Sequence, residues 1–249
     1  MDTDEIVSDF LKSWQDKKEY QGALLTGSRA TGISTSHSDI DLLIVLTNGT
    51  DYKERGNKII DGIVLEYIAY SSDLWTSLFE EEIKKNQRMW LGMWKIGKII
   101  EDKNGEVLKL KEESIKKYGT PIEKLSGEKL EMAKYQLWDG LENLKDLSEN
   151  SDIGFNSAYY LQLSKIVGSY SQYLGIMLPA VAKWRKFFQD GLYRKLYGLT
   201  ELPDVDFVER VTALMKNPDL SGVVKLTEYT LDKMGGFKID GWVLRETSA

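Results

Sequence analysis

Residues 24–42 have the sequence LLTGSRATGISTSHSDIDL, in which a Gly-Ser turn and an Asp-x-Asp motif each border an apolar run. Residues 22–26 predict a short β-strand before the turn, and residues 39–46 predict a second strand that begins at the motif. After its first residues the second strand is apolar on both faces, which is typical of a central strand in a covered sheet. The stretch therefore predicts two carboxylates at the start of a buried strand.

The two aspartates of this motif, Asp39 and Asp41, project from the same face because side chains alternate along a strand. Carboxylates held this close repel each other unless a cation lies between them. Oxygen ligands of this kind suit a hard divalent ion, Mg²⁺ above all. We therefore expect Asp39 and Asp41 to bind Mg²⁺.

The turn before the spacer supplies groups that suit phosphate. Gly27 permits a tight turn that a Cβ would obstruct, and Ser28 offers a hydroxyl and a backbone N–H. The residues that follow can begin a helix, whose amino end favours phosphate. Arg29 adds a guanidinium of the kind that binds phosphate oxygens. We expect the aspartates to face a phosphate-binding turn.

A third carboxylate lies in a predicted hairpin. Residues 58–68 place the pair Asp61-Gly62 between β-branched runs, which is the strongest short-range signal for a hairpin. Glu66 stands among the apolar residues of the second hairpin strand, where an isolated acid would be costly to bury. We predict that Glu66 completes the metal site from a neighbouring strand.

The remaining pattern predicts an α+β protein of two domains. The other segments expected in the first 120 residues are a helix over 6–14, a helix over 73–88, a strand over 90–101 and a helix after the turn at 102–105 that ends near Tyr118. Helical spacing then continues over 126–148, 156–176, 180–197, 204–216 and 219–234. We predict a mixed-sheet domain over 1–120 and an α-helical bundle over 121–249.

Composition excludes several kinds of chemistry. The 249 residues include no cysteine and one histidine, so disulfides, thiol nucleophiles and Cys-bearing zinc sites are absent. The histidine, His37, lies in the spacer loop, and we assign it no part in the mechanism. The net charge of −6 opposes broad binding to nucleic acid. The amino terminus is acidic, unlike a signal peptide, and no apolar run approaches the ~18 residues of a membrane span, so we expect a cytoplasmic protein with no membrane partner.

These residues resemble the signature of the polymerase-beta-type nucleotidyltransferase superfamily, in which an apolar residue and Gly-Ser are followed by a spacer and Asp-x-Asp. Ten residues separate Ser28 from Asp39 in this chain. The resemblance covers about the first 110 residues and is closest to the aminoglycoside adenylyltransferases of the streptomycin/spectinomycin type. Glu66 stands in the sequence Leu65-Glu66-Tyr67, as the third acid does in that group.

The resemblance implies that three acids are catalytic and bind Mg²⁺, namely Asp39, Asp41 and Glu66. Glu66 would activate the acceptor hydroxyl, either as general base or as ligand to a second metal ion. The resemblance also implies that Ser28 and Ser38 contact the nucleotide phosphates. With the residues of the turn, the predicted nucleotide-binding residues in this domain are Gly27, Ser28, Arg29 and Ser38.

A helical domain follows the catalytic domain in that group too. Residues 161–166 have the sequence LQLSKI and resemble a Leu-x-Leu-Ser-Arg-Ile helix of the group, with Lys165 in place of arginine. Lys165 is then expected to reach the triphosphate. The resemblance implies transfer of AMP from ATP, or of a nucleotide from another NTP, to a small-molecule hydroxyl, with an aminoglycoside-like antibiotic as the candidate acceptor. Phe155 departs from the group, which has an acidic residue there that contacts the aminoglycoside.

Two other functions fit the same residues. The acidic triad also serves enzymes that nucleotidylate protein or RNA, including those of toxin–antitoxin pairs. A catalytically silent nucleotide-binding module would carry the same fold. An RNA-tailing polymerase is disfavoured, because the sequence has no basic patch with interleaved aromatic residues. We predict an adenylyltransferase that acts on a small molecule.

Overall fold

A mixed sheet forms the centre of the N-terminal part of the chain in this computed structural model, which describes residues 2–245. Its strands are β1 (Tyr20–Thr26), β2 (Ile40–Leu46), β3 (Glu54–Ile60), β4 (Ile63–Ser71) and β5 (Lys98–Asp102). They lie in the order β3-β4-β2-β1-β5, with β2 and β4 parallel and the other neighbouring pairs antiparallel. The central strand β2 is buried from Leu42 to Leu46, as its apolar sequence predicts.

Helices cover both faces of this sheet. They are α1 (Thr3–Gln15), α2 (Gly27–Thr31), α3 (Ser72–Lys84), α4 (Met89–Ile96) and α5 (Glu106–Tyr118). On one face, Ile44 lies in a core that α1 completes with Phe10. On the other face, Leu43 lies in a core that includes Trp75 of α3 and Trp94 of α4. The alternation of side chains along β2 thus supplies both cores.

The chain divides into two compact units, Met1–Thr120 and Pro121–Ala249. The second unit is helical, with α6 (Gly127–Glu149), α7 (Phe155–Leu174), α8 (Trp184–Gln189), α9 (Gly191–Tyr197), α10 (Val205–Lys216) and α11 (Leu220–Lys233). A mixed sheet followed by helices confirms the predicted α+β class. Within residues 2–245, no helix combines the length and the apolar character needed to cross a membrane.

The predicted hairpin is confirmed. Ile60 pairs with Ile63 across the two-residue turn, in which Asp61 and Gly62 have φ values of +50° and +76°. Positive φ at both positions is the requirement of a type I′ turn, which an Asp-Gly pair satisfies. The turn fixes the register of β3 against β4.

The prediction of a strand over 90–101 is wrong in its first part, because α4 occupies Met89–Ile96 and β5 begins at Lys98. The residue before the helix, Arg88, provides no side-chain cap. Instead, the buried Glu82 accepts hydrogen bonds from the N–H groups of Trp90 at 2.8 Å and Leu91 at 3.0 Å. A cap from eight residues upstream leaves no local signal, and the tryptophans of this segment favour a strand by propensity. The preceding helix also ends earlier than the predicted 88, at Lys84.

The segment with helical spacing over 180–197 is helical, but it is divided into a 3₁₀ turn and two short helices. Asp190 separates α8 from α9. Its backbone leaves the helical region, with φ −120° and ψ 99°, and its carboxylate accepts a hydrogen bond from Tyr193 N–H at 3.0 Å. The aspartate therefore ends one helix and caps the next.

A second capping aspartate, Asp204, connects three helices of the C-terminal unit. It accepts hydrogen bonds from the hydroxyls of Tyr170 on α7 at 2.6 Å and Tyr229 on α11 at 2.8 Å, and from the N–H of Phe207 on α10 at 3.0 Å. Burial alone would raise the pKa of the Asp204 carboxyl, but these hydrogen bonds hold it below its ordinary value. Asp204 therefore remains ionised at neutral pH and ties the bundle together.

We expect Glu82→Gln to lower the free energy of unfolding of the N-terminal unit by about 2 kcal/mol. The amide can accept only one of the two backbone hydrogen bonds at the start of α4, and its NH₂ would face the other N–H. The change also removes the negative charge beside buried Arg88, whose pKa burial lowers and Glu82 partly restores.

Urea unfolding together with hydrogen exchange of the α4 amides would measure this loss. Glu81→Gln is the matched control, because Glu81 is exposed and pairs with the exposed Lys85 one turn away. Equal protection of the α4 amides in both variants would contradict the capping role of Glu82.

Candidate active site

Three acids lie together at one end of the central strands. Asp41 of β2 is paired in register with Glu66 of β4, and Asp39 lies one residue before β2. A carboxylate oxygen from each of the three lies within 4.8 Å of the other two. Asp39 is exposed, and Asp41 and Glu66 are half-buried. The structure therefore brings together the three residues that the sequence predicts as metal ligands.

This set of donors fits a hard divalent ion. Three neighbouring carboxylates repel one another in the absence of a cation, and Mg²⁺ binds oxygen ligands of this kind. Asp39, Asp41 and Glu66 could hold a metal ion.

Strand register sets the row of side chains in which two of these acids lie. Thr26 of β1 and Glu66 of β4 flank Asp41, and Asn57 of β3 pairs with Glu66. Paired residues point to the same face, so these four side chains form one row across the sheet. Thr26 is buried, and its hydroxyl donates to the Met93 carbonyl at 2.6 Å, which fixes the end of β1 against α4.

The turn after β1 passes directly against one of the acids. Gly27 has a left-handed φ of +72°, and a Cβ on it would lie 2.1 Å from Asp41 Oδ2. Glycine is therefore required both by the backbone and by the space. Ser28 follows in the first turn of α2 and is half-buried. The nucleotide contacts predicted for Gly27 and Ser28 stay predictions.

Arg29 holds the chain at the point where it enters β2. Its Nε donates to the carbonyls of Ser38 at 3.1 Å and Asp39 at 3.0 Å, and its Nη2 donates to Ser38 O at 2.6 Å. Its Nη1 donates to Thr3 Oγ1 at 3.0 Å. These bonds give Arg29 a positioning role for the first aspartate, which the sequence pattern did not show. The predicted phosphate contact of Arg29 stays a prediction.

Ser38 closes a turn at the end of the spacer loop. Its N–H donates to Thr35 O at 3.0 Å, and its hydroxyl accepts a hydrogen bond from Thr35 N–H at 2.9 Å. His37 lies in the same turn and is exposed. The nucleotide contact predicted for Ser38 stays a prediction, and so does the contact predicted for Lys165, an exposed residue of α7 in the C-terminal unit.

Arg55 is a residue of the site that the sequence reasoning missed. It lies on β3 and donates from Nε to Glu66 Oε1 at 3.0 Å and from Nη2 to the same oxygen. The signal was present in the hairpin, because the turn at 61–62 sets Asn57 opposite Glu66. Arg55 then lies two residues away on the same face of the sheet. An arginine can reach this diagonal distance.

The neighbouring Tyr67 is turned away from the acids. Its side chain lies on the opposite face of β4. The hydroxyl donates a hydrogen bond to Glu54 at 2.5 Å, and the ring packs over Gly56. The hydrogen bond to Glu54 and burial raise the pKa of Tyr67 to about 12. Tyr67 therefore stays protonated near neutral pH and anchors β3 to β4.

We expect Gly27→Ala to weaken Mn²⁺ binding about tenfold or more, because its Cβ would displace the Asp41 carboxylate. Gly32→Ala is the matched control. Gly32 also has a left-handed φ, +76°, but a Cβ there meets no atom within 4 Å. Both variants carry a backbone cost of about 1 kcal/mol, so only the collision distinguishes them.

The measurement is the electron paramagnetic resonance signal of free Mn²⁺ during titration, with thermal unfolding as a check on stability. Equal Mn²⁺ affinity in the two variants would show that the turn does not position the carboxylate.

One known family matches part of the chain. Residues 7–117 match a family described as the nucleotidyltransferase domain, and this range contains the three acids and the turn at Gly27. No curated protein matches the chain significantly. Among solved structures, a nucleotidyltransferase-like protein from Exiguobacterium sibiricum 255-15 is similar over 94% of this chain and 77% of its own, with 14% identity and a TM-score of 0.43. By this match, residues 7–117 of the N-terminal unit are similar to a nucleotidyltransferase domain.

Proposed function

We propose that this protein is a nucleotidyltransferase, which moves AMP from ATP to a hydroxyl group of a small molecule and releases pyrophosphate. The observation that carries the proposal is the convergence of Asp39, Asp41 and Glu66 within 4.8 Å of one another, beside the turn at Gly27. The family match gives nucleotidyl transfer as the general reaction. The choice of AMP and of a small acceptor rests on the resemblance to aminoglycoside adenylyltransferases.

Asp39 and Asp41 would hold Mg²⁺ at the start of β2. When bound, the ion would neutralise charge on the triphosphate and favour in-line displacement. The acceptor oxygen attacks the α-phosphorus, and the bond between that phosphorus and the bridging oxygen of the β-phosphate breaks. Pyrophosphate leaves with the electron pair of this bond. Glu66 takes the proton of the acceptor hydroxyl as general base.

The acceptor domain in this proposal is the C-terminal unit. Trp138 of α6 is half-buried, with ring centroids 6.2 Å from Tyr135 and 6.3 Å from Phe237. Asp139 follows it and accepts a hydrogen bond from Asn143 at 3.2 Å. Tryptophan and aspartate are residue types that bind amine-bearing sugars, and their presence on this helix supports an aminoglycoside-like acceptor.

We expect Asp41→Asn to keep the fold but to lower Mg²⁺-dependent pyrophosphate release more than about a hundredfold, because loss of a ligand exceeds the loss of an outer-shell partner. Asp51→Asn removes an equal charge from an exposed position outside the site and should keep wild-type turnover. Circular dichroism would check the fold of both variants. Retained pyrophosphate release in Asp41→Asn would contradict the proposed mechanism.

The acceptor is tested by mass spectrometry of the full chain with ATP, Mg²⁺ and a panel of aminoglycosides and lincosamides. We expect an AMP adduct on an aminoglycoside. If radioactive ATP instead labels the chain itself or an added protein or RNA, the enzyme nucleotidylates macromolecules. ATP binding by calorimetry without turnover on any acceptor would indicate a catalytically silent module.

A further inference from the structure

Arg55 forms an ion pair with Glu66, one of the proposed catalytic acids. Binding of a metal ion by the three acids does not require this arginine, so the ion pair calls for a separate explanation. We propose that Arg55 is a positioning residue for Glu66, which fixes the carboxylate for proton transfer and lowers the affinity of the cluster for its metal ion. The inference rests on the proposed function, because it takes Glu66 as the proton acceptor.

The ion pair occupies one oxygen of the carboxylate. Both donating atoms of Arg55, Nε and Nη2, bond to Glu66 Oε1. Arg55 makes no such bond to Oε2. A planar guanidinium that approaches one oxygen with two N–H groups restricts rotation of the carboxylate. The second oxygen is then held ready for a cation or for the proton of an acceptor.

The strand that carries Arg55 is itself fixed on both sides of this residue. Glu54 accepts a hydrogen bond from the Tyr67 hydroxyl at 2.5 Å, and the ring of Tyr67 packs over Gly56 so closely that a Cβ there would lie 2.6 Å from its hydroxyl oxygen. These contacts lie on the opposite face of the hairpin. The backbone at Arg55 therefore has a defined place, and the guanidinium reaches Glu66 from it.

A purely structural role predicts little effect of removing Arg55. Its side chain is 64% exposed and that of Glu66 is 27% exposed. Ion pairs with this much exposure contribute little to stability. A positioning role makes a different prediction, because it acts on the rate of transfer and on the charge that the metal ion meets.

Two effects of opposite sign follow. Without Arg55, the full charge of Glu66 attracts the metal ion, so the ion binds more tightly. Without Arg55, the carboxylate also rotates more freely, so transfer becomes slower. Unfolding or general damage would instead weaken metal binding and turnover together.

The test compares Arg55→Met and Arg55→Lys in the full chain. Mn²⁺ affinity is measured from the resonance signal of free Mn²⁺ without nucleotide, and kcat and KM are measured separately. We expect Arg55→Met to bind Mn²⁺ roughly three- to tenfold more tightly and to lose about ten- to a hundredfold in kcat, with KM for ATP unchanged. Arg55→Lys keeps the charge but not the fork, so it should bind Mn²⁺ as the wild type does and recover part of kcat.

Lys58→Met is the matched control, because it removes an equal charge from the same strand on the opposite face. It should leave Mn²⁺ affinity and kcat at wild-type values. Arg55→Met with wild-type Mn²⁺ affinity and kcat would overturn the inference. A fall in both quantities without recovery in Arg55→Lys would overturn it as well. The metal site of the proposed function would be overturned if the wild-type protein bound no Mn²⁺. It would also be overturned if the wild-type protein and Asp41→Asn bound Mn²⁺ with equal affinity.

Discussion

The parallel pairing of β2 with β4 is the constraint on which the rest of the site depends, since it sets Asp41 beside Glu66. A slip of one residue would turn Glu66 to the other face of the sheet, which is packed against α1. That slip would place a carboxylate in an apolar core and move Leu65 out of it, both at a cost in free energy. The packing that stabilises the unit therefore also selects the register that assembles the acids, so stability and chemistry depend on the same pairing.

Two arginines support this arrangement in different ways. Arg29 bonds to the backbone carbonyls of Ser38 and Asp39, and it fixes the point at which the chain enters β2. Arg55 bonds to the Glu66 carboxylate and acts on its charge as well as on its direction. Arg29 therefore acts on backbone geometry, whereas Arg55 acts on the electrostatics of the site. Removal of Arg29 would disturb the position of Asp39, and removal of Arg55 would change the charge and the orientation of Glu66. Neither role can be assigned from residue type alone, since any arginine near an acidic cluster suits a phosphate equally well.

The sequence predicts the parts of the structure that local rules determine. The Asp-Gly turn and the buried strand after Asp39 follow from short-range patterns. The proximity of Glu66 to the aspartates depends on the non-local pairing of β2 with β4, and the sequence indicates it only through the cost of burying an isolated acid and the family resemblance. The segment at Met89–Ile96 does not follow from short-range patterns, because its helix is capped by Glu82 from the preceding helix. The segment at 180–197 is helical, as its spacing predicts, but the spacing does not show that the backbone of Asp190 divides it. In both cases a single acidic side chain caps the start of a helix.

The charges at the proposed metal site bear on how many ions the protein would hold without a nucleotide. The side chains of Asp39, Asp41 and Glu66 carry three negative charges, and the ion pair with Arg55 adds one positive charge, which leaves a net charge of −2. The remaining two negative charges match a single divalent ion, which would remove most of the repulsion among the acids. A second ion at the same place would need further negative charge, and in nucleotidyl transfer the triphosphate brings it. Under the proposed function, this balance favours one ion bound to the protein before the nucleotide, and a second ion would arrive with the nucleotide.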